Sequence, residues 1–327
     1  MRHLGLRNAF RFATFLAAAA LPAFLAPQAQ AQLATVKTIS IGIDLYQGLL
    51  LASDGNFYTK SQGAALEGCE DNQNNNCSAI YKVTSDGTTT VFHNFQETAT
   101  ESNADGLQPT SLIEGTDGNF YGTCAAGGSL GYGTIFKIAQ DGTFTLLYDF
   151  PGTPATATTN ANPTVGMQPR GLVEGADGNL YGIASLGFPP SPPGDYGPGL
   201  FFRIAKDGAF TSVHIFSLYT SKTSEGSYPT SIMQADDGNF YVTMSNGQVD
   251  GQVLYPGAID RVTPDGVVTV LYNFAADDSE GIAPLGPLTE GSDHSMYGAS
   301  QSNLDWTNQK VSTSLFLKTS ALSGAQP

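Results

Sequence analysis

The chain has 327 residues, with 14 Lys and Arg against 29 Asp and Glu and a formal net charge of −15 at pH 7. That balance argues against nucleic acid and anionic membrane surfaces as partners, and it suits solubility, cations or neutral ligands such as sugars. The length allows two ordinary domains or one large repeat domain.

Residues 1–31 read as a leader. Arg2, Arg7 and Arg11 form a basic start, the run FATFLAAAALPAFLA follows, and Ala29-Gln30-Ala31 is a small-x-small cleavage site. This is the pattern of a secretory signal peptide cut after Ala31. The alternative, an uncleaved anchor, is disfavoured because Pro22 interrupts a run already short for a spanning helix. Losing three arginines takes the charge from −15 to −18. The mature chain, residues 32–327, is expected to be a soluble monomer in the periplasm or outside the cell, with no membrane insertion.

Next comes ATVKTISI, residues 34–41, which looks like a lone strand. Cys69 and Cys77 then flank EDNQNNN. In an oxidising compartment they are expected to form a disulfide, worth roughly 2–3 kcal/mol in the chain-entropy picture. The acidic, Asn-rich loop 70–76 offers the oxygen ligands that calcium takes, without a complete calcium-loop motif. No other cofactor is expected. The third cysteine, Cys124, falls in a predicted strand and reads as a buried free thiol.

A dozen residues recur along the chain. SLIEGTDGNFYG (111–122), GLVEGADGNLYG (171–182) and SIMQADDGNFYV (231–242) are near copies. The motif Asp stands at Asp54, Asp117, Asp177, Asp237 and Asp293, each followed four residues later by Tyr. Pro109, Pro169 and Pro229 precede the middle three by eight residues, and Pro284 precedes Asp293 by nine. A period near 60 means a propeller, a solenoid or an array. Each copy holds four short runs rich in β-branched and aromatic residues; in the second they are TSLIEG, NFYGTC, GTIFKIA and TFTLLYDF. The first two runs, and the last two, are joined by Asp-Gly turns, a hairpin signal. Tight hairpins argue against the parallel coils of a solenoid. Four antiparallel strands per copy make a propeller blade.

The fifth copy has GPLTEG, SMYGAS and TSLFLKT but no fourth run. Residues 34–41 are expected to supply it, closing the ring and removing exposed edges. The expectation is therefore an all-β, five-bladed propeller of four-stranded antiparallel blades. It forms one domain, with copies at about 42–104, 105–164, 165–224, 225–279 and 280–327.

Copies of the form P-x-x-L-x-x-G-x-D-G-N-F-Y-G, then a Gly-rich stretch, then G-T-I-F-K-I-x-x-D-G, resemble the Gloeo/Verruco (GloVer) tandem repeat. The likeness covers nearly all of residues 44–318 and is weakest where DHSMYG replaces DGNFYG. It implies a bacterial exported protein of unestablished activity, and no catalytic residues to carry over.

The motif Asp residues are read as turn residues, since five copies would lie on five separate turns rather than in one site. His93, Tyr148, His214 and Tyr272 occupy one repeat position, which suits a flat ring with a polar tip. His294 replaces the turn Gly of the fifth copy. No His/Cys cluster has ligand spacing, so no metal is assigned. Glu114, Glu174 and Glu290 lie three residues before the motif Asp, either facing the channel or merely solvated.

The long connections, at 60–78, 151–168, 183–198, 217–228, 243–257 and 299–311, should share one face. Variable loops on a rigid scaffold are where binding surfaces arise. Candidate ligand residues there are Phe188, Tyr196, Tyr255 and the sole Trp, Trp306, alternatively read as rings that pin the loops. Asp44, Asp105, Glu225 and Glu280 lie at the starts of the first strands of blades, as channel-mouth acids or as turn residues before Gly. The expected function is a non-catalytic binding module for a glycan or protein partner. The alternatives are a structural envelope protein, or a carbohydrate-active hydrolase with carboxylates at the channel mouth.

Overall fold

The computed structural model describes residues 47–62, 78–95, 104–151, 167–186, 198–216, 225–246, 249–250, 253–254, 257–274, 283–284, 286–301 and 313–318. The chain divides into two compact units, 1–38 and 39–327, and every described residue belongs to the second. The expected closing strand 34–41 and the pair Cys69/Cys77 lie outside the described residues.

β1 (Gln47–Leu51), β2 (Phe57–Gln62), β3 (Ser78–Val83) and β4 (Thr89–Phe95) form the first sheet, in chain order. β5 (Leu107–Glu114), β6 (Phe120–Ala126), β7 (Thr134–Ile138) and β8 (Phe144–Asp149) form the second. β9 (Met167–Glu174), β10 (Leu180–Leu186), β11 (Leu200–Ile204) and β12 (Phe210–Ile215) form the third. In the fourth, β13 (Ser227–Gln234) and β14 (Phe240–Asn246) precede a small hairpin, β15 (Val249–Asp250) and β16 (Val253–Leu254). β17 (Ala258–Val262) and β18 (Val268–Asn273) complete that sheet. In the last, β21 (Met296–Gln301) pairs with β19 (Ala283–Pro284) and β20 (Thr289–Glu290), and also with β22 (Thr313–Lys318). All named pairings are antiparallel, and no helix occurs among the described residues. Consecutive antiparallel sheets of this kind are the blades of a β-propeller.

The repeated motif builds the turn between the first two strands of each blade. Gly118 N–H donates to Gly115 O, and Gly115 N–H to Asn119 O, with Gly118 at φ 76. This is a type I turn followed by a left-handed residue. The motif Asp locks it. One oxygen accepts the N–H two residues on, at 2.9–3.2 Å in all five copies. The other accepts the Tyr hydroxyl four residues on, at 2.8–3.0 Å. The rings of Tyr58, Tyr121, Tyr181 and Tyr241 are buried, so the Asp ties an exposed turn to the core. The motif Asp is thus a structural residue, as the spacing predicts. Burial opposes the charged form of Asp54, but hydrogen bonds from Lys82, Asn56 and Tyr58 outweigh it and hold the carboxyl below its usual range.

The core lies between blades rather than within them. Tyr58, Ile80 and Phe95 of the first pack with Phe120, Cys124 and Phe136 of the second. The same arrangement recurs between the second and third, the third and fourth, and the fourth and fifth. The ring position behaves as its His/Tyr alternation predicts. His93 stacks on Phe144 of the next blade at 4.2 Å and 11°, and Tyr148 on Phe210 at 4.0 Å and 9°.

Candidate binding site in the central channel

The first strands of the first four sheets, with residues 286–287 of the last, line a cavity of about 620 Å³. Its walls come from residues 48–50, 110–112, 170–172, 230–232 and 286–287, with Tyr58, Thr59 and Lys60 from β2. A bulge recurs on three of these strands. Pairing skips from Pro109 to Ser111 on β5, from Pro169 to Gly171 on β9 and from Pro229 to Ser231 on β13. Each bulge leaves one unpaired residue, Thr110, Arg170 or Thr230, and each of these lines the cavity. Bulges characteristically re-aim a side chain in this way. Just before each recurring Pro, Gln108, Gln168 and Tyr228 adopt left-handed backbone, at φ 56, 56 and 58. That conformation is costly for a non-glycine residue, and it recurs at the same edge of the channel in three blades.

Neighbouring blades supply donors to backbone carbonyls of the cavity wall. Thr123 Oγ1 reaches Arg170 O at 3.4 Å, and Thr243 Oγ1 reaches Gly286 O at 3.5 Å. In the first blade the corresponding residue is Lys60, whose Nζ donates to Thr110 O at 2.8 Å. Lys60 is only 7% exposed, and burial brings its ammonium down to about 8. Arg170 is exposed. Thr110, Ser111, Thr230 and Ser231 line the same cavity as Leu112, Leu172 and Ile232, with the Thr110 hydroxyl donating to Pro169 O at 2.7 Å and the Thr230 and Ser231 hydroxyls bonded to Thr243 Oγ1.

The glutamates before the turn motif do not open into the channel; they clasp the neighbouring blade. Glu114 accepts from Ser53 N (2.7 Å) and Ser53 Oγ (2.5 Å). Glu174 accepts from Thr116 N (2.7 Å) and Thr116 Oγ1 (2.6 Å), and Glu290 from Asp236 N (2.8 Å). In the third interface Gln234 takes the place of Glu and accepts from Ala176 N at 3.0 Å. Lys206, beside the Asp207-Gly208 turn, pairs with Glu174 at 2.6 Å and lies 3.7 Å from Asp117. The two short-turn sets therefore share a face.

Of the sequence-derived ligand candidates, Asp105 and Glu225 are described. Asp105 lies 3.8 Å from His93 Nε2, and Glu225 lies 2.9 Å from His214 Nε2, each next to the outer strand of the preceding blade. Asp44, Phe188, Tyr196, Tyr255, Glu280 and Trp306 lie outside the described residues, as does the candidate calcium loop 70–76. Burial lowers the pKa of His93, which favours its neutral form. Cys124 is fully buried, and burial pushes its thiol well up, so it is no nucleophile.

The profile of the Gloeobacter/Verrucomicrobia repeat matches residues 30–216. The chain belongs to that repeat family. Among solved structures it is similar to the α-L-arabinanase of Penicillium chrysogenum, at TM-score 0.51 and 12% identity, over 85% of this chain and 78% of that one. It is also similar to a gluconolactonase of Xanthomonas campestris (TM-score 0.43, 14% identity, 77% and 67% covered). A luciferin-regenerating enzyme matches at TM-score 0.46 and 13% identity, with 77% and 68% covered. At such identities the likeness concerns the fold. No significant sequence match exists among curated proteins.

Two departures from the Gloeobacter/Verrucomicrobia repeat escape sequence spacing. His294 Nδ1 lies 3.1 Å from Glu290 Oε1 and 3.8 Å from Asp236 Oδ2, a trio shared by two blades in which His294 and Asp236 are exposed and Glu290 is partly buried. The second is Asp260. It pairs with Val242 where the second and third blades pair Gly122 with Phe136 and Gly182 with Phe202. Asp260 is fully buried, its Oδ2 accepts Gly226 N–H at 3.0 Å, and its Oδ1 has no partner among the described residues. Lys60 and Asp260 are legible only as deviations: a charge where sister copies carry Thr, Ile or Ala, and a carboxylate where they carry Phe or Tyr.

Proposed function

We propose that this protein is an exported, non-catalytic binding propeller, five-bladed and closed by residues 34–41, that holds a glycan in its central channel. The observation that carries this reading is the cavity of about 620 Å³ to which each of the five four-stranded sheets contributes. Its size is within the range of small-ligand pockets, and its lining mixes apolar walls with a few convergent polar groups. The leader at residues 1–31 supports export. The long loops that carry Phe188, Tyr196, Tyr255 and Trp306 are a second surface, suited to a protein partner.

Hydrolysis of a glycoside would need a carboxylate pair, about 5–5.5 Å apart for retention or about 6.5–9.5 Å for inversion. Among the described residues the channel lining contains no Asp or Glu, which favours binding over hydrolysis.

A glycan array probed with residues 32–327, with and without calcium, tests the reading. Gly48 offers a clean plug, because a Cβ there meets nothing within 4 Å. Binding that is lost in Gly48→Trp and kept in Trp306→Ala supports the channel. The reverse pattern moves the site to the loop face. Binding to no glycan under either condition rejects the glycan reading.

A further inference from the structure

The channel is a positive exception in an acidic protein. The whole chain has 14 Lys and Arg against 29 Asp and Glu, yet the channel lining carries Lys60 and Arg170 and, among the described residues, no acid. The repeat provides its own comparison. The bulged residue that is Arg170 on β9 is Thr110 on β5 and Thr230 on β13. The residue two after the motif Tyr is Lys60 in the first copy but Thr123, Ile183, Thr243 and Ala299 in the other four. Neutral side chains meet the structural demand at both places: Thr123 and Thr243 reach backbone carbonyls of the next blade, and Thr110 and Thr230 bond to Thr123 and Thr243. A positive charge is thus more than the fold requires.

Keeping an ammonium in a buried position is unfavourable, and the lowered pKa of Lys60 reflects that. Arg170 is exposed to the channel, and no described acid forms an ion pair with it.

The geometry points to a ligand with a carboxylate on a hydroxylated body, a sugar acid such as a uronic acid, bound in the channel by Arg170 and Lys60. This rests on the channel being the binding site. A guanidinium grips a carboxylate through two parallel N–H···O bonds, which gives orientation as well as affinity. Lys60 adds a second positive charge from the wall. Ser111 and the backbone of Gly48, Gly171 and Gly286 line the same cavity and offer polar partners for ring hydroxyls, while the exposed Leu49 offers an apolar face to the sugar C–H groups.

Isothermal titration calorimetry of residues 32–327 with galacturonate, galactose and inorganic phosphate decides the matter. The variants are Arg170→Thr and Lys60→Thr, each installing the residue that sister copies carry, with Gly48→Trp as the channel block. Galacturonate is expected to bind the wild type, to weaken about tenfold or more in Arg170→Thr, and to be lost in Gly48→Trp. Galactose binding as tightly as galacturonate, unchanged in Arg170→Thr but lost in Gly48→Trp, would overturn the acid assignment and leave the channel reading intact. Phosphate binding as tightly as galacturonate, with the same Arg170 dependence, would show a bare anion site and overturn the sugar. If galacturonate does not bind, the sugar acid falls, and the glycan array with Gly48→Trp decides separately whether the channel holds another glycan.

Discussion

Asp260 is the residue most at odds with its surroundings. Burial is the main reason its carboxyl is lifted to about 7; Glu225 adds to the rise, while Gly226 N–H and His214 oppose it. In the unfolded chain the same group loses its proton near 3.8. Between these values the folded protein holds a proton that the unfolded chain has released, so stability falls as pH rises from about 4 to about 7. Above that the penalty is complete, on the order of 4 kcal/mol. Asp260→Asn keeps an acceptor for Gly226 N–H and removes the charge. Its melting temperature should match the wild type near pH 4 and exceed it at pH 8; equal differences at both pH values would show that the carboxylate is not penalised. Cys124 gives a second check at this scale. Its thiol is buried beside Thr134 and Gly106 and its ionisation is suppressed. A thiol reagent should label it only as fast as the chain unfolds, whereas rapid stoichiometric labelling would mean that the site is open.

The strands and turns were legible because their signals are local. Asp-Gly marks the hairpins, and each motif Asp finds its Tyr four residues away on the same turn. The alternation of His and Tyr on the fourth strands announced a ring site, and the partner rings Phe144 and Phe210 agree with it. The clasps were not legible, because Glu114 and Ser53 are 61 residues apart and meet only once two blades are stacked. Nor were the bulges, since an unpaired Arg170 looks in sequence like any strand residue. The clasp yields a prediction for the element it joins. Gln234 already does the work of Glu at one interface, so Glu114→Gln should change stability by less than about 0.5 kcal/mol. Glu114→Ala leaves the Ser53 N–H without its partner and should cost about 1 kcal/mol, moderated by solvent at this exposed turn. Denaturant titration of both variants measures the difference; equal losses would mean that the clasp contributes only through charge.

For the molecule as a whole, the apolar clusters lie between blades, so no blade has a private core. Unfolding should be a single transition, with near-UV and far-UV signals coincident in denaturant. Shortening the exported chain to residues 42–327 removes the proposed closing strand and leaves the last blade with an exposed edge. It should elute as dimers or larger species in size-exclusion chromatography; a monomer with unchanged stability would refute that closure.

The clasps also have a direction. Each glutamate or glutamine grips the turn of the blade before it in the chain, as Glu114 grips Ser53 and Glu174 grips Thr116. Contacts of this head-to-tail kind leave one unfilled socket and one unused hook at the two ends of any stack, and they terminate only when the rotation per step brings those ends together. In this chain the first copy has Leu51 at the hook position, so a closing joint between the last blade and the first would lack the clasp. A copy transplanted from one position to another would carry its own hook but depend on its host for the matching turn. Shuffled or duplicated blades should therefore be compatible in proportion to how well that single Ser, Thr, Ala or Asp position suits the incoming side chain.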